Sequence, residues 1–141
     1  MLHVNIPSPK HYESYHGSSQ LVRAYLDQIE QEIVEALDPA GIDTLRISLL
    51  IATPEELAQG LFAAYEQFDW RCKYAAVGVN GDFERYHSGD DVEKILVLSD
   101  MLQAAFKLVS KKRKAKFDCR IANDIVTRVT HRFTDAENGI F

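Results

Sequence analysis

The chain has 141 residues, 46% of them hydrophobic and 26% charged, with a formal net charge of −5, proportions that fit one globular domain with a single core. Its apolar runs fall well short of the roughly 18 residues of a membrane span, and residues 1–7 carry no basic stretch followed by an apolar one, so no membrane association and no signal peptide are expected. Cys72 and Cys119 have no CxxC spacing, which excludes a disulfide scaffold and points to buried thiols in a reducing, cytoplasmic setting.

Residues 1–17 are rich in His, Tyr, Ser and Pro; residues 2–6 read as a short edge strand and the rest as loop. Ser18-Ser19 offers an N-cap for a helix running to about Leu37. Val22, Tyr25, Leu26, Ile29, Ile33, Ala36 and Leu37 share one face at helical spacing, and Asp27, Glu30, Gln31 and Glu35 point away from it. Asp38-Pro39-Ala40-Gly41 stops that helix. Residues 44–52, with Leu45, Ile47, Leu49, Leu50 and Ile51, are too apolar for an edge and predict an inner strand. Thr53-Pro54-Glu55-Glu56 is a capping box with proline at the first helical position. It predicts a second helix buried along Leu57, Leu61, Phe62, Tyr65 and Phe68.

Asn80-Gly81 then separates residues 72–79 from 82–87, the pair that a type I′ turn favours, and predicts a two-residue β-hairpin. Its pairing would place Tyr74, Arg85 and His87 on one face. A third helix, from about Asp91 to Lys112, carries a broad apolar arc from Ile95 to Val109, as a central helix does. In the final segment Phe117, Cys119 and Ile121 alternate, as do Ile125, Thr127, Val129, His131 and Phe133, with Asn123-Asp124 between. Ile121, Ile125, Val129 and Phe133 also recur every four residues, as on a helix; the density of β-branched residues favours a second hairpin. With no repeat, linker or low-complexity tract, the expectation is a single α+β domain: three helices on a mostly antiparallel sheet built from an inner strand and two hairpins.

No catalytic, metal or cofactor motif stands out. His11 and His16 lack a metal-ligand spacing, and Gly78-Val79-Asn80-Gly81 lacks the Lys-Ser/Thr and helix of a phosphate loop. Cys119 with His131 or His87 is the one nucleophile–base pair available, and apolar strand faces give it a core reading. Tyr74, Arg85 and His87 offer a pocket for a small molecule or a small enzyme's chemistry. Charge is divided along the chain. Up to Phe106 there are 7 Lys+Arg against 17 Asp+Glu, and from Lys107 onward 9 against 4. The basic part, between Lys107 and Arg132, could contact nucleic-acid phosphates, but the helix C-terminus it occupies wants cations anyway and the whole chain is acidic. The acidic part suits binding to a basic protein, with Asp27, Glu30, Glu35, Asp82, Glu84 and Asp90 as the candidate partner-binding residues.

Trp70-x-Cys72-x-Tyr74, a glycine at the expected turn, Gly89-x-Asp91 and the run Ile95, Leu96, Leu98 resemble a group of small uncharacterised bacterial α+β domains, some found beside secreted toxins. The chain also resembles, in size and acidity, immunity proteins of contact-dependent and other polymorphic-toxin systems. The resemblance covers about a fifth of the chain and implies a non-enzymatic cytoplasmic protein that binds and neutralises a cognate toxin domain, without a cofactor.

Overall fold

The computed structural model describes residues 2–6, 20–37, 41–60, 64–69, 71–111 and 117–137. Its strands are β1 (Leu2–Asn5), β2 (Thr44–Ala52), β3 (Tyr65–Asp69) and β4 (Tyr74–Asp82). Its helices are α1 (Gln20–Leu37), α2 (Pro54–Ala58), α3 (Phe83–Ser88), α4 (Asp91–Ser110) and α5 (Cys119–Glu137). The strands form one mixed sheet in the order β1-β2-β4-β3. β1 and β4 both run parallel to β2, and β3 is an antiparallel edge on β4.

The parallel pairing follows from composition. Leu49 to Ala52 on β2 and Ala75 to Val79 on β4 are buried without alternation, as strands covered on both faces are. One face carries Leu2, Val4, Leu45, Ile47, Leu49, Ala75, Val77 and Val79 into a cluster with the helices. α4 crosses β4 and β2 and is flanked by α5 and α1, so its wide apolar arc is spent on several neighbours. On the opposite face the row Asn5, Ser48, Gly78 and Tyr65 spans all four strands. There the Ser48 hydroxyl donates to Asn5 Oδ1 at 3.2 Å and accepts from the Tyr65 hydroxyl at 2.9 Å. Between the helices, the buried hydroxyls of Tyr25 and Thr130 meet at 2.8 Å and tie α1 to α5. Burial pushes the Tyr25 hydroxyl up to about 12.

The α+β class, α1, the edge strand, the inner strand and α4 match expectation, but the predicted arrangement of three helices on a mostly antiparallel sheet is wrong. The second helix stops after five residues. Gly60, at φ 79°, closes it, with its N–H donating to the Leu57 carbonyl at 3.1 Å. Tyr65 and Phe68 therefore lie on β3; Leu61 and Phe62 are outside the described residues.

Asn80-Gly81 is not a turn. Neither residue has the positive φ that a type I′ turn needs; both continue β4 and pair with Leu50 and Ile51. Glycine at 81 lets Met101 of α4 pack against the strand: a Cβ would lie 2.4 Å from its sulfur, so the end of that side chain would have to shift. The expected return strand is instead α3, which Asp82 caps by accepting from the Arg85 N–H at 3.1 Å.

The final segment is a helix, not a hairpin. Ala122, Ile125, Val126, Val129 and Thr130 are buried while Ile121 is 51% exposed, a 3.6-residue stripe that packing on α4 and α1 rewards over strand propensity.

Candidate functional site

Because β2 and β4 are parallel, both finish at the same end of the sheet, with Ala52 beside Asp82. Three local devices start helices around that end. Thr53 Oγ1 accepts from the Glu56 N–H at 3.2 Å and Glu56 Oε1 accepts from the Thr53 N–H at 2.9 Å, so the expected capping box opens α2. Asp82 opens α3, and Asp90 opens α4 by accepting from the Glu93 N–H at 2.9 Å. The carboxyl ends of parallel strands are where open sheets usually hold ligands.

Two grooves flank the end of β4. One, of about 300 Å³, lies between α2 and α3 and is walled by Pro54, Leu57, Phe83 and Ala52, with Asp82 and Glu84 at its edge. Leu57 is 41% exposed. The other, of about 210 Å³, lies between β4 and α4 and contains Asn80, Asp82, Arg85, Asp100 and Met101. Within it the Arg85 guanidinium is paired with Glu93 and, at 3.4 Å, with Asp100. The hydrogen bond to Glu93 is the main reason its pKa is raised. This end of the sheet therefore presents the exposed acids Glu55, Asp82, Glu84, Asp90 and Asp100, while its arginine is already neutralised.

The six acids expected to bind a partner divide between two places. Asp27 pairs with Arg23 at 3.1 Å along α1. Glu30 turns toward β1, where its carboxylate accepts from the Val4 N–H at 2.9 Å, and is less exposed than its helical position suggested. Glu35 is in the last turn of α1, with its side chain outside the described part. Asp82, Glu84 and Asp90 do come together around α3, two of them as helix caps. Pro54, Leu57 and Phe83, the apolar walls beside them, were missed. The available clue was Gly60, which ends α2 and leaves Leu57 without a following helical turn to pack on it.

The face predicted for Tyr74, Arg85 and His87 does not exist. Tyr74 starts β4, whereas Arg85 and His87 are on α3 at the other end of that strand. His87 packs against Phe83 and Tyr86, with ring centroids 4.3 and 5.3 Å apart. Cys119 and His131 both lie on α5, twelve residues or about 18 Å apart along the axis, and His131 Nε2 meets Asp135 at 2.7 Å. Cys119 is half-buried, but Cys72 is exposed, contrary to the buried thiol expected.

In the basic portion, Arg128 of α5 is paired with Glu32 of α1, and Arg120 with Asp118 at 3.6 Å. Of these two pairs, the one between Arg128 and Glu32 joins the basic part to the acidic part across the α1–α5 seam. Glu32 is held below the usual carboxylate range, chiefly by the hydrogen bond from Gln28 and further by Arg128. Residues 112–116 of the basic run lie outside the described part. Among the described residues no group of three or more His, Cys, Asp or Glu is placed to hold a metal ion, and no helix is long and apolar enough to cross a membrane.

The chain matches no protein-family model, no curated protein and no solved structure.

Proposed function

We propose that this is a non-enzymatic protein-binding domain whose partner presents a basic surface, and that its concrete role is that of an immunity protein neutralising a toxin domain. The observation that carries the reading is the charge at the carboxyl end of the sheet. Glu55, Asp82, Glu84, Asp90 and Asp100 are exposed there, and Arg85 is engaged by Glu93 and Asp100. Such a surface speeds association with a cationic partner and rejects anionic ones. A toxin that acts on nucleic acid keeps a cationic substrate face, and an acidic protein that occupies it blocks the substrate electrostatically as well as sterically. The weak resemblance of residues 70–98 to domains found beside secreted toxins adds the biological setting.

The test is binding of the full chain to the C-terminal domain of the protein encoded immediately upstream, by calorimetry at low and physiological salt, with the toxicity of that domain measured in parallel. The reading requires a stoichiometric complex, inhibition of the toxin, and an affinity that falls steeply with salt. Absence of a complex with that domain would overturn it. The basic portion is the weaker interface, since Arg120 and Arg128 are already paired within the protein.

A further inference from the structure

The groove between α2 and α3 combines an apolar interior with charged edges. Pro54, Leu57, Phe83 and Ala52 line a space of about 300 Å³, at the lower limit of small-molecule sites and suited to one large side chain. Glu55 stands in the first turn of α2 and Glu84 in the first turn of α3. Both are exposed, and neither is held by a cation among the described residues. Capping needs only Asp82 and the Thr53–Glu56 box; it does not account for an exposed Leu57 in a groove that Glu84 also lines.

We infer that this groove is the anchor point for the partner: it seats an apolar side chain from a basic segment of a protein, flanked on each side by lysine or arginine. Leu57 and Phe83 clasp the apolar group, and Glu55 and Glu84 pair with the cations. This rests on the reading that the partner is a basic protein, and it adds which residues decide affinity. A well-desolvated apolar anchor dominates the dissociation rate, whereas rim charges act on association rate and salt dependence. Truncating Leu57 is thus expected to weaken binding about tenfold, and neutralising the two glutamates to flatten the salt dependence.

The experiment is a titration of the ¹⁵N-labelled full chain with an acetylated, amidated peptide Gly-Lys-Arg-Leu-Lys-Arg-Gly, and with the same peptide carrying Glu for every Lys and Arg. Amide shifts at Leu57, Gly81, Phe83 and Glu84 should move with the basic peptide at concentrations up to roughly 1 mM, and not with the acidic one. Leu57→Ser should weaken the response about tenfold, and Glu55→Gln with Glu84→Gln should make it insensitive to salt. Leu57 is partly exposed, and the spectrum of each variant reports whether it is folded. Two failures are distinguishable. If the basic peptide moves amides around Asp90 and Asp100 but not the groove, and Leu57→Ser changes nothing, the anchor is wrong while a basic partner remains supported. If the acidic peptide binds equally well, or neither binds, the anchor and the choice of a basic partner both fall.

Discussion

Replacing Gly78 with alanine probes the packing that joins β2, β4 and β3. A Cβ at position 78 would lie 2.3 and 2.6 Å from Cε1 and Cδ1 of Tyr65, and 3.0 Å from Cδ1 of Leu50. The Tyr65 ring would have to swing out, and its hydroxyl would leave Ser48, a bond 2.9 Å long and worth about 0.5–1.5 kcal/mol. Overpacking of this kind costs about 1–3 kcal/mol, and alanine recovers about 0.5–1 kcal/mol over glycine in a strand. The net expectation is a loss of about 1–2 kcal/mol. In a Tyr65→Ala background only the flexible end of Leu50 remains in the way, so the same change should be neutral or stabilising. Urea denaturation of the four proteins, with constant slope, gives the cycle. A coupling of about 1–3 kcal/mol is expected. If Gly78→Ala is harmless in the parent, or costs the same in both backgrounds to within about 0.5 kcal/mol, the placement of Tyr65 over β4 is wrong.

The two buried tyrosines set an alkaline limit on stability. Burial pushes Tyr25 and Tyr86 up to about 12 from an ordinary 10.0. Their contribution is therefore complete below about pH 10 and is lost as pH rises towards 12, where the unfolded chain gives up protons that the folded protein keeps. Each steepens the fall by up to about 1.4 kcal/mol per pH unit, and Tyr25→Phe and Tyr86→Phe should each remove one share in urea melts across that range. At neutral pH the two variants should diverge. Tyr25→Phe strands the buried Thr130 hydroxyl and costs about 1 kcal/mol, whereas Tyr86→Phe removes a buried hydroxyl with no hydrogen-bond partner among the described residues and should be neutral or stabilising in the same denaturation assay. Thr53→Ala should cost about 1 kcal/mol, with hydrogen exchange accelerated at the Leu57 amide that closes the first turn on the Thr53 carbonyl. Arg128→Ala should cost less than about 1 kcal/mol, because the pair is largely solvated. A carboxylate NMR titration should then find Glu32 still depressed through Gln28, with its stabilising effect present at neutral pH and lost as pH falls through the depressed value.

What was legible in the sequence was whatever rests on neighbours along the chain. The α1 stripe of Val22, Tyr25, Leu26, Ile29 and Ile33 is fully buried, and the Thr53–Glu56 box forms as its spacing required. Asp90 caps α4, whose breadth of apolar residues correctly marked it as the central helix. These follow from the 3.6-residue period and from side chains that bond to backbone three residues away. At the candidate site the individual acids were legible, but not their company. That Asp82 and Glu84 stand beside Leu57 depends on the parallel pairing of β2 with β4, a contact that no local pattern encodes.

The remaining errors share that cause. Asn80-Gly81 satisfies the composition of a turn, yet the glycine serves the approach of Met101 from α4, and only the packed helix shows this. The last segment satisfies two periods at once, and the burial of Ala122, Val126 and Thr130 between α4 and α1 selects the helical one. The helices α1 and α4, the strand β2, the Thr53 and Asp90 caps and the division of charge were thus legible in the sequence alone, because their energies are local. Strand order, the fate of each ambiguous segment and the meeting of acids with an apolar groove were decided by tertiary structure, because burial against distant residues outweighs the fraction of a kcal/mol that separates one local conformation from another.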